Sequence, residues 1–479
     1  MSKLRVPNRK KPLSMNTIGQ VHGLLARHAP DFSVGVLAGG DVQDRIRSAL
    51  HRTKGSRRDR RQGPLHPVLV FWLVLCLPLH RATSIANVFV VLLSALRARI
   101  LGIPLRPVTD GALAHARGWL GVAPFRAFFE DVASDVRPDP SFHGRRVFGI
   151  DGTHATVPDT PANDVAFGRH GASRGRSAFP QVHLVTLLAV RTHEICAATW
   201  RPHNSSERAM AAELLGKLSK GDLVLMDRGF YCIRFLNELR RLGLHFLIRV
   251  PSHVLVTVLR RRGPGDCDVE VRASRRPVSE RVEGEESHPR LRARMITYTL
   301  DGTEEIRLLT SMDEEEVTAT EIVTLYHERW EAELGYDELK THLSTVTHGT
   351  MRTIFRGRTP LMVEQEIWAT LALYNLARRL MARAAELHGI DPRRISFTDS
   401  LVVIRQAAAQ VDRADLPTLV KLYVRLMSDL GDCRLDRWRR SRKVVRAVKT
   451  KMSNYALKHP GERCVEVDFL AGLRFLEAA

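Results

Sequence analysis

Apolar residues recur at helical spacing in the first part of the chain. They predict four helices, at Val42 to Leu50, Pro67 to Leu79, Ser84 to Ile100 and Asp110 to Leu120. The apolar run that begins at Val68 is followed by His80 and Arg81 and is too short to span a bilayer, so it predicts a buried helix. Residues 1–140 are therefore expected to form a helical region.

From Arg145 onward, short apolar runs alternate with helical patterns. The runs predict strands at residues 145–151, 182–188, 194–200, 222–227 and 246–250. Helices are predicted at Cys232 to Leu242 and at Ser205 to Leu218, the second one capped by Asn204 or Ser205. Three successive strands, a helix and then alternating strands and helices match the ribonuclease-H-like fold. Residues 141–250 would form the first part of this core.

Residues 251–312 depart from that pattern. Alternating apolar positions at Val254 to Val258 and Met295 to Leu300 predict strands, so we interpret this segment as a β-rich insertion. Residues 313–390 are expected to complete the core, and residues 391–479 to form a basic helical C-terminal region. The predicted fold class is therefore α/β, with a ribonuclease-H-like core, a β-rich insertion, and flanking helical N- and C-terminal regions.

Two aspartates end predicted strands of this core. Asp151 closes the apolar run from Arg145, Asp227 closes the run from Asp222, and a glycine lies just beyond each. Open α/β sheets bind ligands at the carboxyl ends of their strands, where glycine lets a ligand approach the backbone. One such aspartate is usually part of a plain turn. Two of them, followed by a third acidic motif, indicate a set of carboxylates.

The stretch from Tyr326 to Lys340 carries the third motif. If it is one helix, four side chains fall within about 60° of one another: Tyr326, Arg329, Glu333 and Lys340. A carboxylate flanked by two cations and a phenol is typical of a metal ligand among phosphate-binding groups. Two alternatives remain open. In the first, Arg329 and Glu333 form an ordinary ion pair on a solvated helix; in the second, Asp337, about 40° from Glu333, takes its place.

Together these motifs resemble those of the DDE transposases of the insertion-sequence-four family. The resemblance rests on Asp151-Gly152-Thr153 with the following Val157 to Asn163, on Asp227 to Tyr231, and on the Tyr-x2-Arg-x3-Glu-x6-Lys signature from Tyr326 to Lys340. It extends to Phe179 to Val182, Arg358 to Pro360 and Val363 to Trp368, and weakly to residues 43–100. It covers most of the chain.

The resemblance implies a DNA transposase that uses two divalent metal ions. Its catalytic residues and metal ligands would be Asp151, Asp227 and Glu333, with Asp151 bridging both ions. Carboxylates are hard oxygen donors suited to Mg²⁺ or Mn²⁺. Two such ions about 4 Å apart activate a water or a 3′-hydroxyl and neutralise the leaving oxygen. One site can therefore cleave the ends of an insertion sequence and transfer them to target DNA by cut-and-paste, and members of the family often pass through a DNA hairpin.

The resemblance also implies DNA-binding residues. Tyr326, Arg329 and Lys340 would hold the DNA end by its phosphates.

Two further residues are candidates because of their positions and not because of the resemblance. Trp330 lies about 40° from Tyr326 around the predicted helix and is a candidate for stacking on an extruded base, with a place in the hydrophobic core as the alternative. Arg228 is expected to pair with a phosphate or with Asp151, with a plain surface role as the alternative.

Composition agrees with a nucleic-acid partner. The chain has 479 residues, with 73 Lys and Arg against 52 Asp and Glu and a formal net charge of +21. This balance favours a polyanion, although ribosomal and membrane-surface proteins share it. The expected partner is double-stranded DNA, as terminal inverted repeats and as target, with residues 1–140 contributing to binding. Because two DNA ends have to be brought together, a homodimer is expected in the DNA complex.

Cysteine usage and the first residues indicate the compartment. The six cysteines include no Cys-x-x-Cys pair, which argues against a zinc ribbon or a disulfide framework. The first seven residues lack the apolar core of a signal peptide. A cytoplasmic, nucleoid-associated protein without a membrane partner is expected. Two other functions stay open: a nonenzymatic DNA-binding descendant of a transposase, and another two-metal nuclease or phosphatase.

Overall fold

The structure is a computed structural model. It describes residues 42–53, 65–80, 83–99, 108–138, 140–172, 175–272, 289–300, 305–339, 355–411, 416–435, 442–443, 465–466 and 470–476.

Helices fill the described part of the N-terminal region. They are α1 Val42–Arg52, α2 Pro67–Cys76, α3 Ile85–Arg99, α4 Asp110–Leu120 and α5 Ala123–Ser134. The four predicted helices are confirmed, and α5 was not predicted. Helix α2 is apolar on every side and buried on every side, as a core helix must be. Within the described ranges, no helix has the length and apolar character needed to cross a membrane.

Five strands form one half of the main sheet in the order β5-β4-β1-β6-β7, with β5 at its edge. Their bounds are β1 Val147–Thr156, β4 Gln181–Ala189, β5 Ile195–Pro202, β6 Leu223–Met226 and β7 His245–Arg249; α6 Pro161–Phe167 and a hairpin of β2 Gly171–Ala172 and β3 Gly175–Arg176 lie between β1 and β4. Strands β1, β6 and β7 are parallel, and β4 is antiparallel to both of its neighbours. This order and direction confirm the predicted ribonuclease-H-like core.

The helices between these strands are α7 Glu207–Leu214 and α8 Ile233–Arg241. Helix α7 is shorter than the predicted helix from Ser205 to Leu218. Its N-cap is Ser206, whose hydroxyl accepts a hydrogen bond from the N–H of Ala209. At its other end the chain tightens into a 3₁₀ turn, Leu215–Lys217. The prediction of Asn204 or Ser205 as the cap is therefore wrong by one residue.

The residues of the predicted insertion form strands that continue the main sheet. These strands are β8 Val256–Gly263, β9 Asp266–Arg272, β10 Arg290–Leu300 and β11 Ile306–Thr310. Strand β11 returns to pair with β7, with Thr310 opposite Leu247, and β10, β9 and β8 follow it in antiparallel order. Backbone hydrogen bonds therefore join this segment to the core. The division of the chain at residues 251 and 312 stays a prediction.

The signature stretch is not one regular helix. Helix α9 Ala319–Tyr326 and helix α10 Trp330–Asp337 are separated by a 3₁₀ turn, His327–Arg329. Helix α9 begins with a capping box in which Thr318 and Glu321 satisfy each other's backbone N–H groups. The prediction of a continuous helix is wrong here because the tighter turn changes the rotation per residue. Angles counted from Tyr326 therefore do not carry across it.

Helices continue after the signature stretch, but not to the end of the chain. They are α11 Pro360–Leu387, α12 Phe397–Val411 and α13 Leu416–Asp432. The described residues beyond them include short strands: β12 Arg442–Lys443, β13 Val465–Glu466 and β14 Leu473–Phe475. Strand β12 pairs with β13, and β14 pairs with β10 of the main sheet. A wholly helical C-terminal region is therefore a wrong prediction at these strands.

Helix α11 shares a hydrophobic core with the N-terminal helices. Polar contacts reinforce this packing. The buried guanidinium of Arg117 in α4 binds Glu366 of α11 at 2.8 Å. Arg356, just before α11, donates hydrogen bonds to three backbone carbonyls at the end of α2 and beyond it, those of Leu77, His80 and Thr83. The N-terminal helices are thus part of the same body as the sheet.

Candidate active site

Two of the predicted carboxylates lie level at one edge of the sheet. Strand β1 pairs in parallel with β6 as far as Gly149 opposite Leu225. Two residues farther on, Asp151 is level with Asp227, which directly follows the last residue of β6. The prediction that Asp227 follows a strand is confirmed. The prediction that Asp151 ends one is wrong, because β1 continues beyond it, held by β4 with Thr186 opposite Asp151.

The carboxyl group of Asp151 lies in an unusual electrostatic environment. Burial raises its pKa to about 7. The hydrogen bond from the N–H of Gly152 to Oδ1, 2.9 Å long, opposes this rise, as does the charge of Arg329. The charges of Asp227 and Glu207 add to it. A buried carboxyl that titrates near neutrality among other carboxylates gains stability from a nearby cation.

Asp227 begins a 3₁₀ turn, Arg228–Phe230. Its Oδ1 accepts a hydrogen bond of 2.8 Å from the N–H of Gly229. This bond holds the carboxylate at the end of β6 in a fixed orientation. Arg228 is exposed at the start of the turn, and among the described residues it forms no ion pair with Asp151.

Small residues bring α10 close to the sheet. A Cβ atom on Gly149 would lie 3.2 Å from the Cβ of Ala332, and one on Gly335 would lie 2.9 Å from Cδ1 of Leu188. Because alternate residues of a strand share a face, Gly149 and the first aspartate both face α10. Close approach at the glycines therefore brings Glu333 to the face of β1 that carries that aspartate.

The hydroxyl of Tyr336 fastens α10 to the sheet. It accepts a hydrogen bond of 3.1 Å from the N–H of Thr186 and donates one to the carbonyl oxygen of Asp151. The Thr186 hydroxyl lies 2.8 Å away. Burial raises the pKa of Tyr336 well above its usual value, so the hydroxyl keeps its proton. Since Thr186 and Asp151 are opposite residues of β4 and β1, the phenol oxygen bridges the two strands at the site.

Three of the four signature residues lie together despite the 3₁₀ turn. Arg329 Nη2 binds Glu333 Oε1 at 2.7 Å, and its guanidinium carbon lies 5.9 Å from the centre of the Tyr326 ring. Tyr326 is buried, and burial raises the pKa of its hydroxyl, while the charge of Arg329 opposes the rise and that of Asp227 adds to it. The Arg329–Glu333 ion pair is the contact that the alternative interpretation anticipated. Lys340 lies outside the described residues.

Other carboxylates of the signature stretch serve the fold. Glu331 Oε2 lies 2.8 Å from Nε2 of His193, and Arg378 binds both Glu338 and the Nδ1 atom of His193. Nδ1 accepts there, so Nε2 carries the hydrogen and donates to Glu331. Burial opposes ionisation of Glu338, but the charge of Arg378 and the hydrogen bonds hold its pKa at about 2. Asp337 is exposed, and its alternative role stays open.

Comparison with known proteins assigns a family. Residues 142–376 match the family model of the transposase DDE domain, and residues 32–130 match that of the insertion element 4 transposase N-terminal region. Over 355 residues the chain is 31% identical to the transposase InsG for insertion sequence element IS4 of Escherichia coli (strain K12), which covers 73% of this chain and 78% of that protein. The chain belongs to the insertion-sequence-four family of DDE transposases.

The transposase has other relatives. The putative transposase InsZ of Escherichia coli (strain K12) is 29% identical over 137 residues, or 28% of this chain and 46% of that protein. A cryo-EM structure of the piggyBac transposase synaptic complex with hairpin DNA aligns with a TM-score of 0.42 and 10% identity, over 83% of this chain and 85% of that one. Family membership makes this chain an enzyme of cut-and-paste transposition, with a catalytic domain of a kind that generally uses divalent metal ions.

The groups that can hold a metal ion in this transposase are oxygen donors. Asp151 and Asp227 lie level at the sheet edge, and Glu333 approaches from α10. Such carboxylates suit Mg²⁺ or Mn²⁺ in chemistry and charge. In the part of the chain that the structure describes, no three acidic, histidine or cysteine side chains are yet grouped closely enough to hold an ion. One oxygen of Glu333, Oε1, is bound to Arg329.

The remaining side chains near the site of the transposase divide into exposed and structural groups. Trp330 is 43% exposed, so the alternative of a core position is wrong. His154 Nε2 bonds to the carbonyl oxygen of His203, whose own Nδ1 bonds to that of Phe167. Both histidines are therefore engaged with the backbone.

Two side chains near the proposed carboxylates, Tyr336 and Glu207, were not singled out in the sequence. Tyr336 lies in a helical stretch, and nothing local indicates that its hydroxyl contacts the sheet. Glu207 is the first residue of α7, where an acidic side chain is commonly explained by the helix dipole. A signal for Glu207 did exist, because Gly152 directly follows an aspartate on a buried strand and leaves space there.

Proposed function

We propose that Asp151, Asp227 and Glu333 are the catalytic residues of this transposase and would hold two Mg²⁺ or Mn²⁺ ions, with Asp151 contributing to the binding of both. Bound at these carboxylates, the ions supply Lewis-acid activation of a water or 3′-hydroxyl and neutralise the leaving oxygen. The protein holds its oxygen donors in fixed positions on β1, after β6 and on α10. The enzyme would cleave at the ends of its insertion sequence and join them to target DNA.

The level placement of Asp151 and Asp227 carries this proposal. Their strands are parallel neighbours, and β1 alone runs past the point where β6 ends. A phosphodiester at this edge can contact both carboxylates, because no third strand lies between β1 and β6. Burial is the main reason that the pKa of Asp151 is raised, and the charge of Asp227 adds to the rise; a divalent cation at this edge would favour the ionised carboxylate.

Arg329 and its neighbours would hold the DNA end. A guanidinium that binds a carboxylate can bind a phosphate with the same geometry. When Arg329 exchanges Glu333 for a phosphate of the DNA end, the carboxylate becomes free for the metal. The ring of Tyr326 packs against the guanidinium of Arg329, and Lys340 would add a second cation from the same segment of the sequence.

Two exposed residues would extend this contact. Trp330 presents its ring to solvent one residue after Arg329 and can stack on an extruded base. Arg228 is exposed next to Asp227 and can bind a phosphate close to the cleaved bond.

The proposed partners are double-stranded terminal inverted repeats and target DNA. A homodimer in the DNA complex would hold the two ends together, and a hairpin at the cleaved end is a possible intermediate of the same site. The proposed location is the cytoplasm, in association with the nucleoid.

Alanine at Asp151, Asp227 or Glu333 tests the assignment. Each variant should lose Mg²⁺-dependent cleavage of a terminal-repeat duplex, because each removes an oxygen ligand. Binding of the duplex in a gel-shift assay should stay near the wild-type level, since affinity comes mainly from distributed phosphate contacts.

Asp337→Ala is the matched control, because this exposed carboxylate lies on the same helix as Glu333. It should cleave normally. Full cleavage by Glu333→Ala would overturn the assignment, and loss of cleavage in Asp337→Ala alone would transfer the role to Asp337. A wild-type protein that binds the repeats and cleaves nothing with either metal would be a nonenzymatic descendant.

A further inference from the structure

Glu207 fills the space that a side chain at residue 152 would need. A Cβ atom on Gly152 would fall 1.7 Å from Glu207 Oε1 and 2.7 Å from its Cδ. No pair of such atoms can approach so closely, so the carboxylate occupies a position that only glycine leaves open. That position lies against the backbone directly after Asp151.

Glu207 and Asp151 reach this point from opposite faces of the sheet. Successive residues of a strand alternate in direction, so Gly152 faces α7 whereas Asp151 faces α10. On its β6 side, β1 is paired only as far as Gly149. No described strand therefore pairs with this side of β1 at the level of Asp151. The two carboxylates can therefore meet at one open edge, each arriving from its own face.

The immediate surroundings of Glu207 do not balance its charge when His183 is neutral. His183 Nε2 lies 3.9 Å from Glu207 Oε1, and its Nδ1 lies 3.2 Å from the carbonyl oxygen of Ser205. Because a carbonyl oxygen only accepts, Nδ1 of His183 must carry the hydrogen of this bond. In the neutral ring Nε2 is then an acceptor, and it faces the carboxylate oxygen of Glu207, which is also an acceptor. Among the described residues, no arginine or lysine forms an ion pair with Glu207. A divalent cation would supply the positive charge that these contacts do not provide.

We propose that Glu207 is a fourth carboxylate of the active site and helps to hold the divalent ion that Asp151 binds. The inference rests on the proposed function and adds a ligand from α7 to the set from β1, β6 and α10. It explains why the residue after Asp151 is glycine. The competing role is structural, in which Glu207 pairs with protonated His183 and stabilises the start of α7.

Mn²⁺ binding to full-length Glu207→Gln tests this proposal. The protein, together with a terminal-repeat duplex, is titrated with Mn²⁺, and free Mn²⁺ is measured by electron paramagnetic resonance. This readout does not depend on turnover. The amide keeps the shape and removes the charge. Affinity should fall roughly 10- to 100-fold, as it does when groups that support a metal site are lost. Glu213→Gln is the control on the same helix, since Glu213 pairs with Arg201 on the exposed surface; it should bind Mn²⁺ like the wild type.

Gly152→Ala gives a second, independent test. The added methyl group displaces the carboxylate of Glu207 without changing any charge, so it should weaken Mn²⁺ binding as Glu207→Gln does. If Glu207→Gln fails to fold, this variant decides the question. Wild-type Mn²⁺ affinity in the folded variants, with or without a lower Tm, would overturn the proposal and leave Glu207 its structural role.

Asp151→Asn separates this proposal from the proposed function. If Asp151→Asn loses Mn²⁺ binding while Glu207→Gln keeps it, only the role of Glu207 fails. If both variants bind Mn²⁺ like the wild type, the carboxylate site itself is wrong.

Discussion

At the scale of single residues, the pKa of Asp151 makes the stability of the metal-free protein depend on pH. Its carboxyl titrates near pH 7 in the folded chain and near its ordinary value of about 3.9 when unfolded. Between these values the folded state binds more protons than the unfolded state. The free energy of unfolding therefore falls as the pH rises through this window.

We expect Asp151→Asn to remove this dependence. In EDTA, the wild type should lose stability relative to the variant between about pH 4 and about pH 7, because asparagine cannot ionise. Urea unfolding of both proteins across this range measures the difference. A difference that is the same at every pH would contradict the raised pKa, and added Mg²⁺ at the upper end should stabilise the wild type alone.

Arg329 is expected to have opposite effects on metal binding and on DNA processing. Arg329→Ala frees Glu333 and removes a repelling charge, so Mn²⁺ binding without DNA should tighten by about fivefold, the equivalent of about 1 kcal/mol. Strand transfer of precut ends should fall, because the phosphate contact is lost. Arg126→Ala is the control, since Arg126 pairs with Glu130 on the solvent-exposed face of α5. Normal processing of precut ends by Arg329→Ala would contradict its role.

At the scale of elements, the close packing of α10 against the sheet depends on Gly335. Alanine there gains helix propensity, but its methyl group would lie 2.9 Å from Leu188 and 3.3 Å from the Tyr374 hydroxyl. Gly118 in α4 has nothing within 4 Å of the same position, so Gly118→Ala is a matched control. We expect Gly118→Ala to stabilise the protein by about 0.5–1 kcal/mol with normal cleavage. Gly335→Ala should give no such gain and should cleave more slowly.

Thermal unfolding and a cleavage assay on the same preparations decide this comparison. Equal stabilisation by both alanines, with cleavage unchanged, would mean that α10 tolerates a shift away from the sheet and that the position of Glu333 is not set by Gly335.

The sequence was sufficient to place the main strands and helices along the chain, because apolar periodicity is a local property. It was insufficient where distant segments decide. Strand β1 continues past Asp151 because β4 pairs with it there, and no pattern near Asp151 records that partner. The 3₁₀ turn at His327–Arg329 lies within an apolar pattern that a regular helix satisfies equally well. Tyr336 contacts residues that lie 150 and 185 positions away in the sequence, so no local pattern indicates the role of its hydroxyl.

At the scale of the whole molecule, α11 makes the N-terminal helices and the catalytic sheet interdependent. A chain that begins at residue 141 would expose the apolar face of α11 and leave Glu366 without Arg117. Truncation to residues 141–479 should therefore produce an aggregating protein, and the full chain should unfold in one calorimetric transition. Gel filtration and circular dichroism of the truncated chain measure this. A monomeric truncated chain with native helix content would contradict the shared core.

The return of β11 to β7 also bears on how chain length can vary among such proteins. The polypeptide leaves the core after Arg249 and rejoins it at Ile306, on the strand next to its point of departure. Residues gained or lost between β9 and β10 leave that return point unchanged, because backbone pairing fixes it. One residue added to α10 ahead of Glu333 would instead rotate the carboxylate by about 100°. Insertions between Asp227 and Glu333 are therefore tolerated in the connection between β9 and β10 but not in α10 ahead of Glu333. The number of residues between Asp227 and Glu333 consequently carries little information about the enzyme.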